Sequence, residues 1–290
     1  MSIYSVHGDE LLSVYDISGT SLESAFDIGG EIVFTRNFPL KIMQYNVGQW
    51  YVGDHDNVPA DKDEVYYALQ SGIISQNDPD VLLLEEYTAQ FSKAGRTSIS
   101  MLQSSYPYYH EQTDGTTTTV TQRAIYSKYP ISNYVTHKFS DSNYYYDTCT
   151  ITINGIGILF AVTHLHWNNR TYRAQEVQTI LSGISEAPYV IIGGDFNTSD
   201  CFSTSGADYI DVVKPFVDAG YNVGNAGDFG FIDTYSGQSA APYTFYVLDN
   251  IVVSSNIVFE SVAADTTKLT DGLNEKVDHL PLVATVIVGG

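Results

Sequence analysis

Basic residues are scarce in this chain. Its 290 residues hold 13 Lys and Arg against 34 Asp and Glu, a formal net charge of −21. Charged residues make up 16%, below the roughly 25% of an average globular chain. A broad basic surface that neutralises many phosphates is therefore excluded. If the protein handles phosphate, something other than Lys and Arg supplies most of the positive charge. Cysteine is also rare. Cys149 and Cys201 make neither a disulfide framework nor a zinc site, and read as two unpaired thiols. No apolar run approaches the roughly 18 residues of a membrane span. The start, Met1-Ser2-Ile3-Tyr4-Ser5, shows neither the basic nor the apolar region of a secretory signal. The chain reads as soluble, with its compartment open between the cytoplasm and secretion after signal removal. Neither a Gly-x-Gly-x-x-Gly nor a P-loop motif is present, so nucleotide-cofactor folds lose support.

What the sequence has in quantity is apolar and aromatic surface. Hydrophobic residues are 43%, with 23 Tyr and 13 Phe, enough to build a core and to argue against disorder. The length suits two domains or one larger α/β domain. Residues 1–38 carry three repeats of 11 residues. Gly8, Gly19 and Gly30 keep that spacing, as do Leu11, Leu22 and Val33, and Tyr4, Tyr15 and Phe26. A Gly in every unit disfavours a helix by about 1 kcal/mol each. The repeats therefore read as short β units forming an appendage, with attachment or self-association as the sharper reading. Phe38-Pro39 closes this region, and residues 39–290 read as the main domain.

From there strands and helices alternate. Strands are expected at 40–45, 81–84, 124–127, 149–153, 156–162, 189–192, 249–253 and 281–288, with a break at Gly193-Gly194. Helices are expected at 62–76, 97–105, 172–185 and 212–219, the last capped by Gly220. Strands outnumber helices, and hairpins mix with crossovers. This implies mixed sheets packed together and covered by helices. The informative pattern is positional. Asn46, Glu86, His164, Asp195, Asn197, Asp249, Asp278 and His279 each stand at or beside the end of an apolar strand, where chemistry is usually placed. Each alone has a blander reading as a turn former or a core residue. Eight together make that reading improbable for the set.

Here the chain resembles the endonuclease/exonuclease/phosphatase, or DNase I-like, family. The resemblance runs from about residue 39 to 288. It rests on ordered motifs: Ile42-Met43-Gln44-Tyr45-Asn46, Pro79-Asp80-Val81-Leu82-Leu83-Leu84-Glu85-Glu86, Ala124-Ile125-Tyr126-Ser127, Thr163-His164-Leu165, Gly194-Asp195-Phe196-Asn197, Leu248-Asp249-Asn250-Ile251 and Asp278-His279-Leu280-Pro281. It implies a four-layer αββα sandwich of two mixed β-sheets flanked by helices, with the site at one end. It also implies metal-assisted hydrolysis of a phosphate ester, with a phosphodiesterase or endonuclease leading. A phosphatase or a sphingomyelinase-like phospholipase is the alternative.

The roles that follow are implied by the resemblance. Asn46, Glu86 and Asp278 would hold Mg²⁺, or Mn²⁺ in its place, and Mg²⁺ keeps water and substrate phosphate in its other positions. Asp195 would position or deprotonate the attacking water, and Asn197 would hold a phosphoryl oxygen. His164 would donate to the phosphate or leaving group. His279 would act as general base or as a cation, oriented by Asp249. Whether Asp195 or His279 takes the proton stays open. Glu85 stands where the family usually has Gln. Arg123 stands where many members carry Asn, and reads as a phosphate contact or a surface charge. Thr88 replaces an Arg of some nucleases. The expected partner is a phosphoester substrate, nucleic acid among the options. Tyr144-Tyr145-Tyr146 and His166 are further candidates to touch it.

Overall fold

The structure is a computed structural model. It describes residues 37–48, 63–87, 104–112, 123–140, 142–227, 229–235, 246–267 and 279–289 (the side chains of 63–69 excepted), together with Leu102 and four short N-terminal strands. Those strands are β1 (Val14–Tyr15), β2 (Ser21–Leu22), β3 (Ser24–Phe26) and β4 (Ile32–Thr35). They form two antiparallel pairs, β1–β2 and β3–β4. Most repeat positions, and residues 97–101 and 103 of the helix expected at 97–105, lie outside the described residues.

Two strand–helix–strand units form the frame. The first is β5 (Phe38–Asn46), α1 (Asp63–Asn77) and β6 (Val81–Glu85). β7 (Tyr108–Glu111), β8 (Arg123–Ser127), β9 (Ile131–Lys138) and β10 (Tyr145–Ile153) follow. The second unit is β11 (Ile156–His164), α2 (Arg170–Ile184) and β12 (Val190–Asp195). A π-turn (Tyr209–Val213) then leads into α3 (Lys214–Asp218). The last strands are β13 (Asn222–Val223), β14 (Asp249–Val253), β15 (Ile257–Ala264) and β16 (Leu282–Val288).

The main strands make two six-stranded sheets, ordered β15-β16-β5-β6-β8-β7 and β13-β14-β12-β11-β10-β9. Each has one parallel pair at its centre, β5–β6 or β11–β12, flanked by antiparallel strands. The helix of each unit is the crossover that a parallel pair requires. Period-two alternation sorts the side chains. Leu40, Ile42, Leu83, Phe160, Val162, Ile191 and Ile251 fill the space between the sheets. The intervening Met43, Tyr45, Leu82 and Leu84 face outward onto Ile73 and Ile74 of α1. Ala161, Ile192 and Val252 face outward onto Val177 and Ile180 of α2 and Phe216 of α3. Four layers result, helix–sheet–sheet–helix. Fully burying each aliphatic side chain contributes about 1.5–3 kcal/mol.

The strand expected to break at Gly193-Gly194 does not break. β12 continues through both glycines to Asp195, paired with β11 on one side and β14 on the other. The glycines permit close approach rather than a turn. A Cβ on Gly194 would lie 2.0 Å from the Thr163 carbonyl oxygen, and one on Gly193 would lie 2.5 Å from Leu83 Cδ1. Helix α2 starts at Arg170, two residues before its expected start, because Asn169 caps it by accepting from Tyr172 N at 3.2 Å. Gly220, at φ +87, ends the α3 segment as expected. Cys149 and Cys201 are buried and unpaired. Among the described residues no helix is long and apolar enough to cross a membrane.

Candidate active site

The carboxyl ends of both central parallel pairs reach the same edge of the sandwich. There the inward-facing positions change from apolar to polar: Leu40, Ile42, then Gln44 and Asn46; Val81, Leu83, then Glu85; Phe160, Val162, then His164. On the antiparallel strands the polar residue comes first, as in Asp249 before Ile251 and Val253. Strand register sets these residues in two facing rows. Asn46, Glu85 and Arg123 lie opposite one another across β5, β6 and β8. Asp249, Asp195 and His164 lie opposite one another across β14, β12 and β11.

One carboxylate oxygen is the hub. Asp195 Oδ2 accepts from Asn46 Nδ2 at 3.1 Å and lies 3.4 Å from both His164 Nε2 and His279 Nε2. Its other oxygen accepts the Asn197 backbone N–H at 2.8 Å. Burial pushes the Asp195 carboxyl up to about 7, with Asp249 adding to the rise and His279 and the Asn197 N–H opposing it. His279 enters just before β16, where Leu280 N donates to Thr234 O at 2.7 Å. The Thr234 hydroxyl in turn accepts from Leu248 N and Asp249 N. The loop carrying His279 and the start of β14 are thereby tied together. His279 Nδ1 lies 2.8 Å from Asp249 Oδ2, both groups buried. With the carboxylate accepting the Nδ1 proton, the imidazole turns Nε2 toward the hub.

Glu86 reaches the cluster by a backbone device. Alternation would send it to the face opposite Glu85. Its φ of +49 ends the strand in the left-handed region, an uncommon conformation for a residue with a side chain. The carboxylate meets Asn46, with Oε1 3.2 Å from Nδ2. Carboxylates from two sheets thus converge on one amide nitrogen. Asn46 Oδ1 is held by Gly48 N at 3.0 Å. Hard oxygen donors grouped in this way suit a divalent cation such as Mg²⁺. Asp195, Asp249 and His279 also place one donor atom each within 4.8 Å of one another, but His279 Nδ1 and Asp249 are already engaged with each other.

Asn46, Glu86, His164, Asp195, Asp249 and His279 are therefore brought together, while Asp278 lies outside the described residues. Asn197 is adjacent, at φ +53, but its side-chain NH₂ donates to Leu165 O at 2.8 Å rather than toward the hub. Arg123 is not a surface charge. It is fully buried and pairs with Asp147 at 2.7 Å and with Gln112 at 3.2 Å. A buried charge persists only when paired, and this burial denies a substrate phosphate access to it. Replacing Arg123 with Met should cost about 3–5 kcal/mol by stranding the buried Asp147 charge. Urea unfolding of the two proteins measures it, and an unchanged midpoint and slope would dismiss the pair as a stabilising contact.

The motifs assign no role to two further buried residues of the cluster. Gln44 donates both to Glu85 Oε2 at 2.7 Å and to Asp249 Oδ1 at 2.8 Å. Burial, reinforced by the Asp249 charge, holds the Glu85 carboxyl well above the usual carboxylate range. The signal was in the parity, since Gln44 and Glu85 share the inward face with Asn46.

The chain belongs to the endonuclease/exonuclease/phosphatase family, whose model matches residues 44–271. Its members are hydrolases acting on phosphoester bonds and are generally dependent on a divalent metal. A search of curated proteins gave no match. Among solved structures, an endonuclease/exonuclease/phosphatase from Beutenbergia cavernae is similar at 14% identity and TM-score 0.67, covering 87% of this chain and 72% of that one. TDP2 from D. rerio, complexed with single strand DNA product, is 18% identical at TM-score 0.63, covering 86% and 98%. The human Nocturnin catalytic domain, with bound sulfate anion, is 20% identical at TM-score 0.61, covering 86% and 94%. These likenesses agree on the fold.

Proposed function

We propose that the protein is a divalent-metal-dependent phosphodiesterase, most naturally a nuclease acting on single-stranded or short nucleic acid. The observation that carries the reading is the hub: one buried carboxylate oxygen within 3.4 Å of two imidazoles, with a second carboxylate behind one of them. Glu86 and Asn46, with Asp278 beside His279 in sequence, would hold the ion, which supplies positive charge at the phosphoryl oxygens. Asp195 orients the attacking water, and Asp195 or His279 accepts its proton as the new P–O bond forms. Asp249 keeps the His279 imidazole in one tautomer. His164 faces the same hub and donates to the phosphate or to the departing oxygen as the old P–O bond breaks. Asn197 reaches a phosphoryl oxygen only after its side chain leaves the Leu165 carbonyl.

The charge distribution supports a short substrate. Six of the seven described lysines and arginines lie in polar contacts elsewhere: Lys41 with Asn77, Arg123 with Asp147, Lys128 with Asp78 and Asp80, Arg170 with Asp200 and Asp211, Arg173 with Asp208, and Lys214 with Asp218. Lys138 lies over the Tyr145 ring. An aromatic shelf runs outward from His164 instead. Tyr144 meets the His164 ring edge-on at 5.8 Å and His166 at 4.9 Å, and His166 meets Tyr172 at 5.1 Å. Trp167 projects from this loop at 65% exposure, while Arg173 Nη1 donates to the carbonyls of His166 and Trp167. Stacking of a base on an aromatic ring contributes about 1–3 kcal/mol. Trp167→Ala should accordingly raise KM for a single-stranded oligonucleotide roughly five- to hundredfold with kcat unchanged. Unchanged KM would remove Trp167 from the binding surface. The D. rerio TDP2 relative, with its single strand DNA product, lends the nucleic-acid reading further support.

Scarcity of cations also favours a second reading, a phosphatase or phospholipase acting on a small or lipid phosphoester. A panel with added Mg²⁺ or Mn²⁺ and with EDTA separates the two. Metal-dependent cleavage of oligonucleotide supports the first. Release only from sugar phosphates or sphingomyelin supports the second. No turnover of any ester ends both.

A further inference from the structure

Gln44 spans the gap between the two sheets. It sits on β5, and its Nε2 donates across to Asp249 Oδ1 on β14 at 2.8 Å while also donating to Glu85 Oε2 on neighbouring β6 at 2.7 Å. Both of its amide hydrogens are thereby committed to carboxylates, and all three residues are fully buried. The crossing is possible because β12 presents only backbone there. The Cβ that Gly193 lacks would stand 3.4 Å from Gln44 Cβ and 2.5 Å from Leu83 Cδ1. On the far side, Asp249 Oδ2 meets His279 Nδ1 at 2.8 Å. Asp249 is therefore gripped at both oxygens, one by an amide and one by the imidazole.

We propose that Gln44 and Glu85 are positioning residues of the catalytic site: Glu85 fixes the Gln44 amide, Gln44 fixes the Asp249 carboxylate, and Asp249 fixes the His279 ring. This rests on the reading of His279 as a proton-handling group. An unsupported Asp249 can rotate about its side-chain bonds, and the imidazole turns with it. Outer partners of catalytic side chains commonly carry ten- to hundredfold of activity. Neither Gln44 nor Glu85 reaches the hub, so substrate binding does not depend on them.

The test is a double-mutant cycle in the full chain with an oligonucleotide and Mg²⁺. Gln44→Met should lower kcat about ten- to hundredfold with KM within about twofold. In an Asp249→Ala background the same substitution should lower kcat no further, because the residue through which it acts is gone. Glu85→Gln keeps an acceptor for Gln44 in the same volume and should retain kcat within about threefold, whereas Glu85→Leu should fall with Gln44→Met. Should Gln44→Met not fold, Gln44→Met/Glu85→Leu removes both halves of the pair and takes its place. A second arm needs no turnover. Nitrogen-15 histidine spectra of wild-type protein should show a protected His279 Nδ1–H resonance that survives in Glu85→Gln and is lost by exchange in Gln44→Met. Equal losses of kcat in both backgrounds, or wild-type kcat in the folded variants, would overturn the proposal, as would an Nδ1–H resonance unaffected by Gln44→Met. A wild-type protein that cleaves no phosphoester while Nδ1–H responds as expected would overturn the phosphodiesterase reading and leave the positioning chain standing.

Discussion

His279→Ala is expected to remove nearly all turnover, lowering kcat about a hundred- to ten-thousandfold, the range of a positioned general acid or base. His279 Nδ1 is held by Asp249 at 2.8 Å, and its Nε2 faces Asp195 Oδ2 at 3.4 Å. His164 also faces that oxygen at 3.4 Å, with the Tyr144 ring edge-on against it at 5.8 Å. Stability should fall far less. Asp249 Oδ2 loses one partner, a cost of about 1–3 kcal/mol, while Gln44 still holds Oδ1 and Thr234 still ties Leu248 and Asp249. Steady-state kinetics beside a thermal melt separates the two effects. His137→Ala is the control, because that ring lies on edge strand β9 against Thr148 and not at the hub. Wild-type kcat in a folded His279→Ala protein would end the assignment of His279 to proton transfer.

How much of this was legible in the sequence follows from which strands are buried on both faces. β5, β6, β11, β12 and β14 are nearly continuous apolar runs, and each was placed within a few residues. β9 and β15, by contrast, stand at sheet edges with largely exposed residues such as Ser132, Asn133, Glu260 and Ser261. Their alternation is polar enough to read as loop, and neither was expected. The Gly193-Gly194 pair misled for a different reason. Local propensity reads two glycines as a break. The strand instead needs their missing side chains, because Thr163 and Leu83 press against those positions.

The site was legible residue by residue, but its connections were not. Strand ends flagged Asn46, Glu86, His164, Asp195, Asn197, Asp249, Asp278 and His279 because eight such residues together make the turn-former reading improbable for the set. Nothing local said that Asp195 rather than Glu86 is the hub, because the hub depends on strand register across two sheets. Arg123 shows the same limit. A lone Arg before an apolar strand gives no sign of Asp147, 24 residues further on, which accepts its charge in the interior. The acidic balance of the chain also acquires a location. Glu85, Asp195 and Asp249 are buried together at one edge, while Asp147 and Asp208 are buried elsewhere against Arg123 and Arg173.

That concentration of acid makes metal removal the second decisive experiment. Glu86 Oε1 and Asp195 Oδ2 both lie within 3.2 Å of Asn46 Nδ2, and Asp249 stands behind His279. Among the described residues, the nearest guanidinium in the strand rows, Arg123, is already paired with Asp147. A phosphate brought to this edge meets carboxylates, and a divalent ion would supply the compensating charge. Protein stripped with EDTA should lose at least about a hundredfold in turnover and recover it with Mg²⁺ or Mn²⁺. Stability supplies a readout independent of substrate. Metal at about 100 times its Kd should stabilise the wild-type protein by about 2.7 kcal/mol, a rise in Tm of several degrees for a domain of this size. Glu86→Gln should abolish that rise. Without metal its Tm should equal or exceed that of the stripped wild-type protein, because one carboxylate fewer crowds the cluster and the Gln keeps an oxygen for Asn46. Calorimetric scans of both proteins with EDTA and with each metal ion decide the matter. Full turnover after EDTA treatment together with a metal-independent Tm would eliminate the ion from the mechanism and leave Glu86 a hydrogen-bond partner of Asn46 alone.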